Sequence, residues 1–186
     1  MLRKTLTLIA TLAAAPAFAT GLDIEVKGEA NGTVHIDLFE DVAPGHVAQI
    51  TKLASEGAYD NVVFHRVIDG FMAQTGDVQY GKMGATEFSM QMAGRGGSSE
   101  PDLKAEFSDQ PFDAGVVGMA RSQNPNSANS QFFIMFAPAP HLNGQYTVVG
   151  KVTEGMDVVN EIKRGTGPNG AVIGEPDVMV KVSVTD

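Results

Sequence analysis

The sequence contains no cysteine and no tryptophan. Without a thiol there is no disulfide framework, thiolate nucleophile, cysteine zinc site or lipidated cysteine anchor, so stability in an oxidising compartment rests on packing. Basic residues are scarce as well: 13 Lys and Arg stand against 22 Asp and Glu, a formal charge of −9. Such a surface does not suit nucleic acid. Membrane-length apolar runs are also missing. The run from Thr5 to Ala15 is too short to span a bilayer, so no stable membrane anchor is expected.

Motifs for other chemistries are equally sparse. The four histidines, His35, His46, His65 and His141, show no metal-ligand spacing, and H-E-x-x-H does not occur, so neither metal nor cofactor is expected. His35 reads as a strand surface residue and His46 as a first-turn helix residue. Gly165-Thr-Gly167-Pro-Asn-Gly170 matches G-x-G-x-x-G, but it follows a helical pattern and opens no new helix, so it reads as a loop. Ser122, Ser127 and Ser130 flank a predicted strand, yet no G-x-S-x-G elbow occurs and nothing singles out a serine, histidine and acid as partners.

What is present begins at the N-terminus. Arg3 and Lys4, the apolar run and the Ala17-Phe18-Ala19 site read as a secretory signal peptide over residues 1–19. Cleavage after Ala19 leaves 167 residues, 20–186, enough for a single domain with a real core, and lowers the basic count to 11 for a formal charge of −11.

Leu22 to Lys27 and Thr33 to Phe39 alternate apolar and polar as half-buried strands do, and Asn31-Gly32 between them marks a hairpin. That turn also accounts for the Asn31-Gly-Thr33 sequon. Pro44, then Val47, Ile50, Leu53 and Ala54 on one face, then Gly57, spell a helix of about three turns. Val62 to Ile68, Gly70 to Thr75, Gly115 to Ala120, Ser130 to Phe136, Tyr146 to Val152 and Asp177 to Val184 are strand-like. Gly155 to Ile162 forms a short amphipathic helix, and residues 81–109 read mainly as loops. Many short strands, two helices and no internal repeat predict a closed antiparallel barrel rather than a βαβ sheet.

Two strands stand out within this pattern. In Ser130-Gln131-Phe132-Phe133-Ile134, alternation puts Gln131 and Phe133 on one face and Phe132 and Ile134 on the other; the same parity joins Met72 to Gln74. Each strand therefore offers an apolar group beside an amide. Nearby, Arg66 places a permanent charge in the otherwise apolar "FHRVIDGFMAQTGD".

That stretch, with "GVVGMARSQNPNSANSQFFI" and "HLNGQYTVVGKV", resembles the signature segments of the cyclophilins, a family of peptidyl-prolyl cis-trans isomerases. "APGHVAQITKLASEGAYDNVVFHRVI" and "GMDVVNEI" are similar to the segments holding the family's two helices. The resemblance runs from about Thr33 to the final strand. It implies a mainly β fold, a closed eight-stranded antiparallel barrel capped by two α-helices, with the groove on the barrel's outer face. It makes Arg66 the catalytic arginine and assigns Phe71, Met72, Phe133 and Leu142 to a hydrophobic proline pocket. Gln74 and Gln131 match the amides that hold the peptide, Ala120 a groove residue acting through its backbone, and His65 a motif histidine beside the site. Arg121, His141 and Tyr146 complete the expected substrate-binding set. They stand where many eukaryotic members have asparagine, tryptophan and histidine, and Asp69 where proline is usual. Tyr146 and Arg121 resemble exported bacterial members, and the missing indole speaks against strong cyclosporin binding.

The implied reaction needs these residue types. Peptide-bond rotation faces a barrier of about 18–20 kcal/mol, and X-Pro bonds isomerise over roughly 10–100 s. As the bond twists, the proline nitrogen regains a lone pair, and a guanidinium N–H aimed there bonds more strongly in the transition state than in the ground state. A gain of about 10⁴-fold requires on the order of 5–6 kcal/mol, while one well-placed donor supplies about 3–4. The pocket and the amides are left to supply the remainder. The expected partners are proline-containing peptides and unfolded client proteins, met by a monomer in a Gram-negative periplasm or, alternatively, a secreted setting. A proline-peptide binder or holdase on the same barrel is the competing reading.

Overall fold

The computed structural model describes residues 20–185, so the signal-peptide reading lies outside the described residues. The strands are β1 (Gly21–Lys27), β2 (Gly32–Leu38), β3 (Val62–Val63), β4 (Arg66–Ile68), β5 (Met72–Thr75), β6 (Val116–Met119), β7 (Phe132–Met135), β8 (Val148–Glu154) and β9 (Val178–Thr185). Helix α1 (Pro44–Ser55) follows β2, and α2 (Met156–Glu161) follows β8.

All named strand pairs are antiparallel, in the order β3-β9-β1-β2-β8-β6-β7-β5-β4. The two ends of this order are neighbours in sequence. β3 and β4 are halves of the single predicted strand Val62–Ile68, interrupted at Phe64 and His65, where Phe64 N–H turns to Asp177 O (2.9 Å) and His65 N–H to Gln74 O (3.2 Å). One half pairs with β9 and the other with β5, so the curled sheet returns to its own starting segment. Counting that segment once reconciles nine short strands with the eight expected.

Strand alternation divides the apolar residues between two cores. Ile24, Ile36, Val67, Ala73, Val117, Phe132, Ile134 and Val182 join Val47, Ile50 and Leu53 of α1 and Val158 and Val159 of α2 in the larger one. Helix α1 packs on β9 and α2 on β2, closing the barrel interior. β1 and β2 form the expected hairpin, with Gly32 already the first residue of β2, and the loop is held by Asn31, whose Nδ2 donates to Gly28 O at 2.9 Å.

The alternate residues of β5–β8 build the smaller cluster: Met72, Val116, Phe133, Met135 and Val148, with Phe112, Ala139 and Leu142 from the connecting loops. Its margin is only partly buried, at Phe71, Ala120 and Tyr146. That open margin of the outer cluster is where the candidate site lies.

Candidate active site

Register sets the site out as a row across the outer wall. Arg66 faces Gln74 on β5, Gln74 faces Phe133 on β7, and Phe133 faces Gly118 on β6. The next row brings Ile68, Met72 and Met135 together. Gly118 matters here because a Cβ at that position would lie 2.6 Å from ring atoms of both Phe112 and Phe133. A bare backbone lets those two rings pack at 5.8 Å between centroids.

Nine of the twelve residues expected at the site line one cavity of about 170 Å³: Arg66, Phe71, Met72, Gln74, Ala120, Arg121, Phe133, Leu142 and Tyr146. The floor is apolar, with Phe133 set edge-on to Tyr146 at 5.9 Å. Arg121 forms one wall. Its guanidinium lies 4.4 Å over the Tyr146 ring and donates to Gln145 O at 2.9 Å. Ala120 N–H already donates to Gln131 O at 2.9 Å, so a backbone contact to a ligand from this residue falls to its carbonyl.

The other three expected residues lie around that cavity. His141, in the short 3₁₀ turn Pro140–Leu142, stacks on Phe71 at 5.8 Å. Gln131 borders a neighbouring polar recess and is joined to the site through its amide. His65 lies on the far side of Arg66, 5% exposed, with neither ring nitrogen at hydrogen-bonding geometry to any partner. Burial pushes its pKa down to about 4, so the imidazole is neutral at pH 7.

A directed chain of hydrogen bonds orients the polar groups. Arg66 Nη1 donates to Gln74 Oε1 (3.1 Å), Gln74 Nε2 to Gln131 Oε1 (3.0 Å), and Gln131 Nε2 to Gly96 O (2.7 Å). Each amide therefore keeps one N–H for a ligand. On its other side Arg66 donates from Nε to Asn169 O (3.0 Å) and from Nη2 to Asn169 Oδ1 (3.1 Å). With three of its five N–H groups held, the guanidinium is fixed in plane with two still free. Its partial burial lowers its pKa, and the Tyr146 phenol opposes that shift.

Asn169 is the residue that sequence reasoning missed. It belongs to the Gly165–Gly170 stretch, a loop as expected except for one 3₁₀ turn at Pro168–Gly170, and this loop runs along the free edge of β4. Gly165 N–H donates to Val67 O (2.8 Å) and Val172 N–H to His65 O (3.0 Å). The serines make no triad. Ser122 Oγ and Ser127 Oγ bond each other at 2.7 Å, and Ser130 Oγ donates to Gly76 O.

Residues 22–184 match the family described as cyclophilin type peptidyl-prolyl cis-trans isomerase/CLD. The chain belongs to the cyclophilins. This cyclophilin is 59% identical over 154 residues to a probable peptidyl-prolyl cis-trans isomerase of Brucella suis, covering 83% of this chain and 78% of that one. It is 38% identical over 139 residues to peptidyl-prolyl cis-trans isomerase B of Bacillus subtilis, covering 74% and 87%. Among solved structures, a cyclophilin from Hirschia baltica superposes with a TM-score of 0.69 at 27% identity, over 87% of this chain and 72% of that one. A Cryptosporidium parvum cyclophilin-type isomerase shares the fold with a TM-score of 0.74 at 24% identity, over 91% and 99%. The cyclophilin described here is accordingly a peptidyl-prolyl cis-trans isomerase, acting on proline-containing peptides.

Proposed function

We propose that this cyclophilin is exported and accelerates X-Pro rotation in client proteins as they fold, with Arg66 as the catalytic donor. The observation that carries the proposal is the Arg66 guanidinium, fixed by Gln74 and Asn169 at the edge of the small apolar cavity with two N–H groups unassigned.

In this reading the proline ring enters between Phe71, Met72, Phe133 and Leu142. The free N–H groups of Gln74 and Gln131, with the Ala120 carbonyl, hold the flanking peptide backbone. As the amide twists out of plane, a free Arg66 N–H meets the growing lone pair on the proline nitrogen, an interaction absent from the planar ground state. The apolar pocket disfavours the charge-separated resonance form that keeps the bond planar. No proton is transferred and no covalent bond is made. Clients are chosen by little beyond proline and its neighbours.

The competing holdase reading requires capture without rotation. A refolding assay on a protein limited by a trans-to-cis X-Pro step separates the two. The wild type is expected to accelerate the slow phase at substoichiometric amounts, whereas Arg66→Ala is expected to bind the unfolded client without accelerating it. Equal acceleration by the variant would remove Arg66 from the catalytic role, and capture without acceleration by the wild type would assign the groove to binding alone. The export reading rests on Arg3, Lys4, the apolar run and Ala17-Phe18-Ala19. Expression of residues 1–186 in a Gram-negative host should yield a chain beginning at Thr20 in the osmotic-shock fraction. An uncleaved chain in the cytoplasm would contradict it.

A further inference from the structure

Behind Arg66 lies a second recess, of about 490 Å³, between the segments 90–95 and 168–174. We infer that it is a docking subsite for the client chain, taking an apolar side chain of the same polypeptide whose X-Pro bond sits at Arg66. The inference rests on the catalytic reading above and adds to it a place where a longer client is gripped.

Two observations point there. First, the recess adjoins the proline cavity, with Arg66 and Gln74 as walls of both. A chain passing Arg66 on that side enters it. Secondly, its lining combines Met90, Val172 and Ile173, and Ile173 is 58% exposed, unusual for a large aliphatic group beside a binding groove. Its volume falls within the range of about 300–1,000 Å³ typical of ligand clefts. His65, 5% exposed, backs this wall, and Gly94 packs directly against its ring, where a Cβ would stand 3.0 Å from Cδ2 and 3.1 Å from Nε2. The Gly94 φ of +94° is one that side-chain-bearing residues rarely adopt.

The occupant is the client rather than a separate molecule because the shared walls place the recess on the path of a bound chain. Met90 and the exposed Ile173 match an aliphatic side chain of that client. The specificity added is for an apolar residue a short distance from the proline.

The test uses Gly/Ser-rich decapeptides with one central X-Pro bond, either plain or with a single Leu placed two to five residues before or after the proline. Exchange NMR gives kcat/KM for each, and methyl shifts of Ile173 and Met90 report occupancy. With wild type, one Leu position is expected to raise kcat/KM roughly tenfold through KM and to shift both methyls. Ile173→Asp, at an exposed position, is expected to abolish that gain while turning over the plain peptide at the wild-type rate. If no Leu position gives a gain, or the gain survives Ile173→Asp, the inference is overturned. It is also overturned if Ile173→Asp changes only the sedimentation behaviour, which would make the patch a contact between copies. If the methyls shift but no peptide is isomerised, docking stands and the catalytic role of Arg66 falls.

Discussion

Arg66 has five N–H groups, and their allocation decides what the site can do. Two are held by Asn169 and one by Gln74, so the arginine is already oriented before substrate arrives. Asn169→Gly removes the Oδ1 acceptor and keeps the carbonyl, and glycine tolerates the φ of 55° found there. We expect kcat to fall about three- to tenfold with KM nearly unchanged, the signature of a looser donor; a change confined to KM would assign Asn169 to binding. This residue was illegible in the sequence because its partner lies 103 positions away and no local pattern joins them. Met72, Gln74, Gln131 and Phe133 were legible because strand parity pairs them within a few residues. His65 carries a second prediction. Its folded pKa of about 4 lies below the ordinary 6.5, so between these values the unfolded chain binds a proton that the folded one refuses. Stability therefore falls as pH drops from 6.5 toward 4, by about 3 kcal/mol from this group. Urea melts at pH 7.5 and 4.5 should show a larger loss for wild type than for His65→Phe; equal losses would contradict the buried neutral imidazole.

At the scale of elements, the segment 81–109 shows how a stretch of irregular chain can be ordered by carboxylates. Asp77, fully buried, accepts N–H groups from Gln79 and Tyr80 on one oxygen and from Gly94 and Gly96 on the other. This fixes the segment whose Gly96 carbonyl ends the amide chain from Arg66. Glu106 ties the far end of the segment to α1, accepting from Gly45 N–H, His46 N–H (both 3.1 Å) and His46 Nδ1 (2.6 Å). Helix α1 has no side-chain cap of its own at Ala43, so this remote carboxylate serves its open N–H groups. Partial burial raises the Glu106 pKa, but the hydrogen bonds from His46 and the two amides outweigh it and leave the carboxyl more acidic than usual. Its contribution is therefore present above the unfolded carboxyl pKa and is lost as pH falls through the lower, folded value. Glu106→Ala should cost about 2 kcal/mol in urea unfolding at pH 7 while leaving isomerase activity in place. A loss below about 0.5 kcal/mol would show that the contact adds little. The sequence marked this region only as loops, and marked His46 only as a first-turn residue, because an acceptor sixty positions away has no periodic signature.

For the whole molecule, hydrophobic period and turn chemistry revealed both helices and nearly every strand, since each element buries one face against the same interior. What they left open was where the sheet joins itself. The break at Phe64–His65 is enforced by bonds to Asp177 and Gln74, neither of which is local. That closure leaves Arg66 on the outer wall, in register with Gln74 and Phe133 and beside an apolar cluster that the barrel interior does not need. In the proposed mechanism this charge acts on the twisting amide. The most direct measurement is NMR exchange between the cis and trans forms of a short X-Pro peptide, with the chain from Thr20 onward and with its Arg66→Ala variant. Catalysis by the former is expected, with a rate about 10²–10³-fold lower for a variant whose spectrum shows the same fold. A folded Arg66→Ala variant that catalyses within about threefold of wild type, a difference of only about 0.7 kcal/mol, would contradict that mechanism.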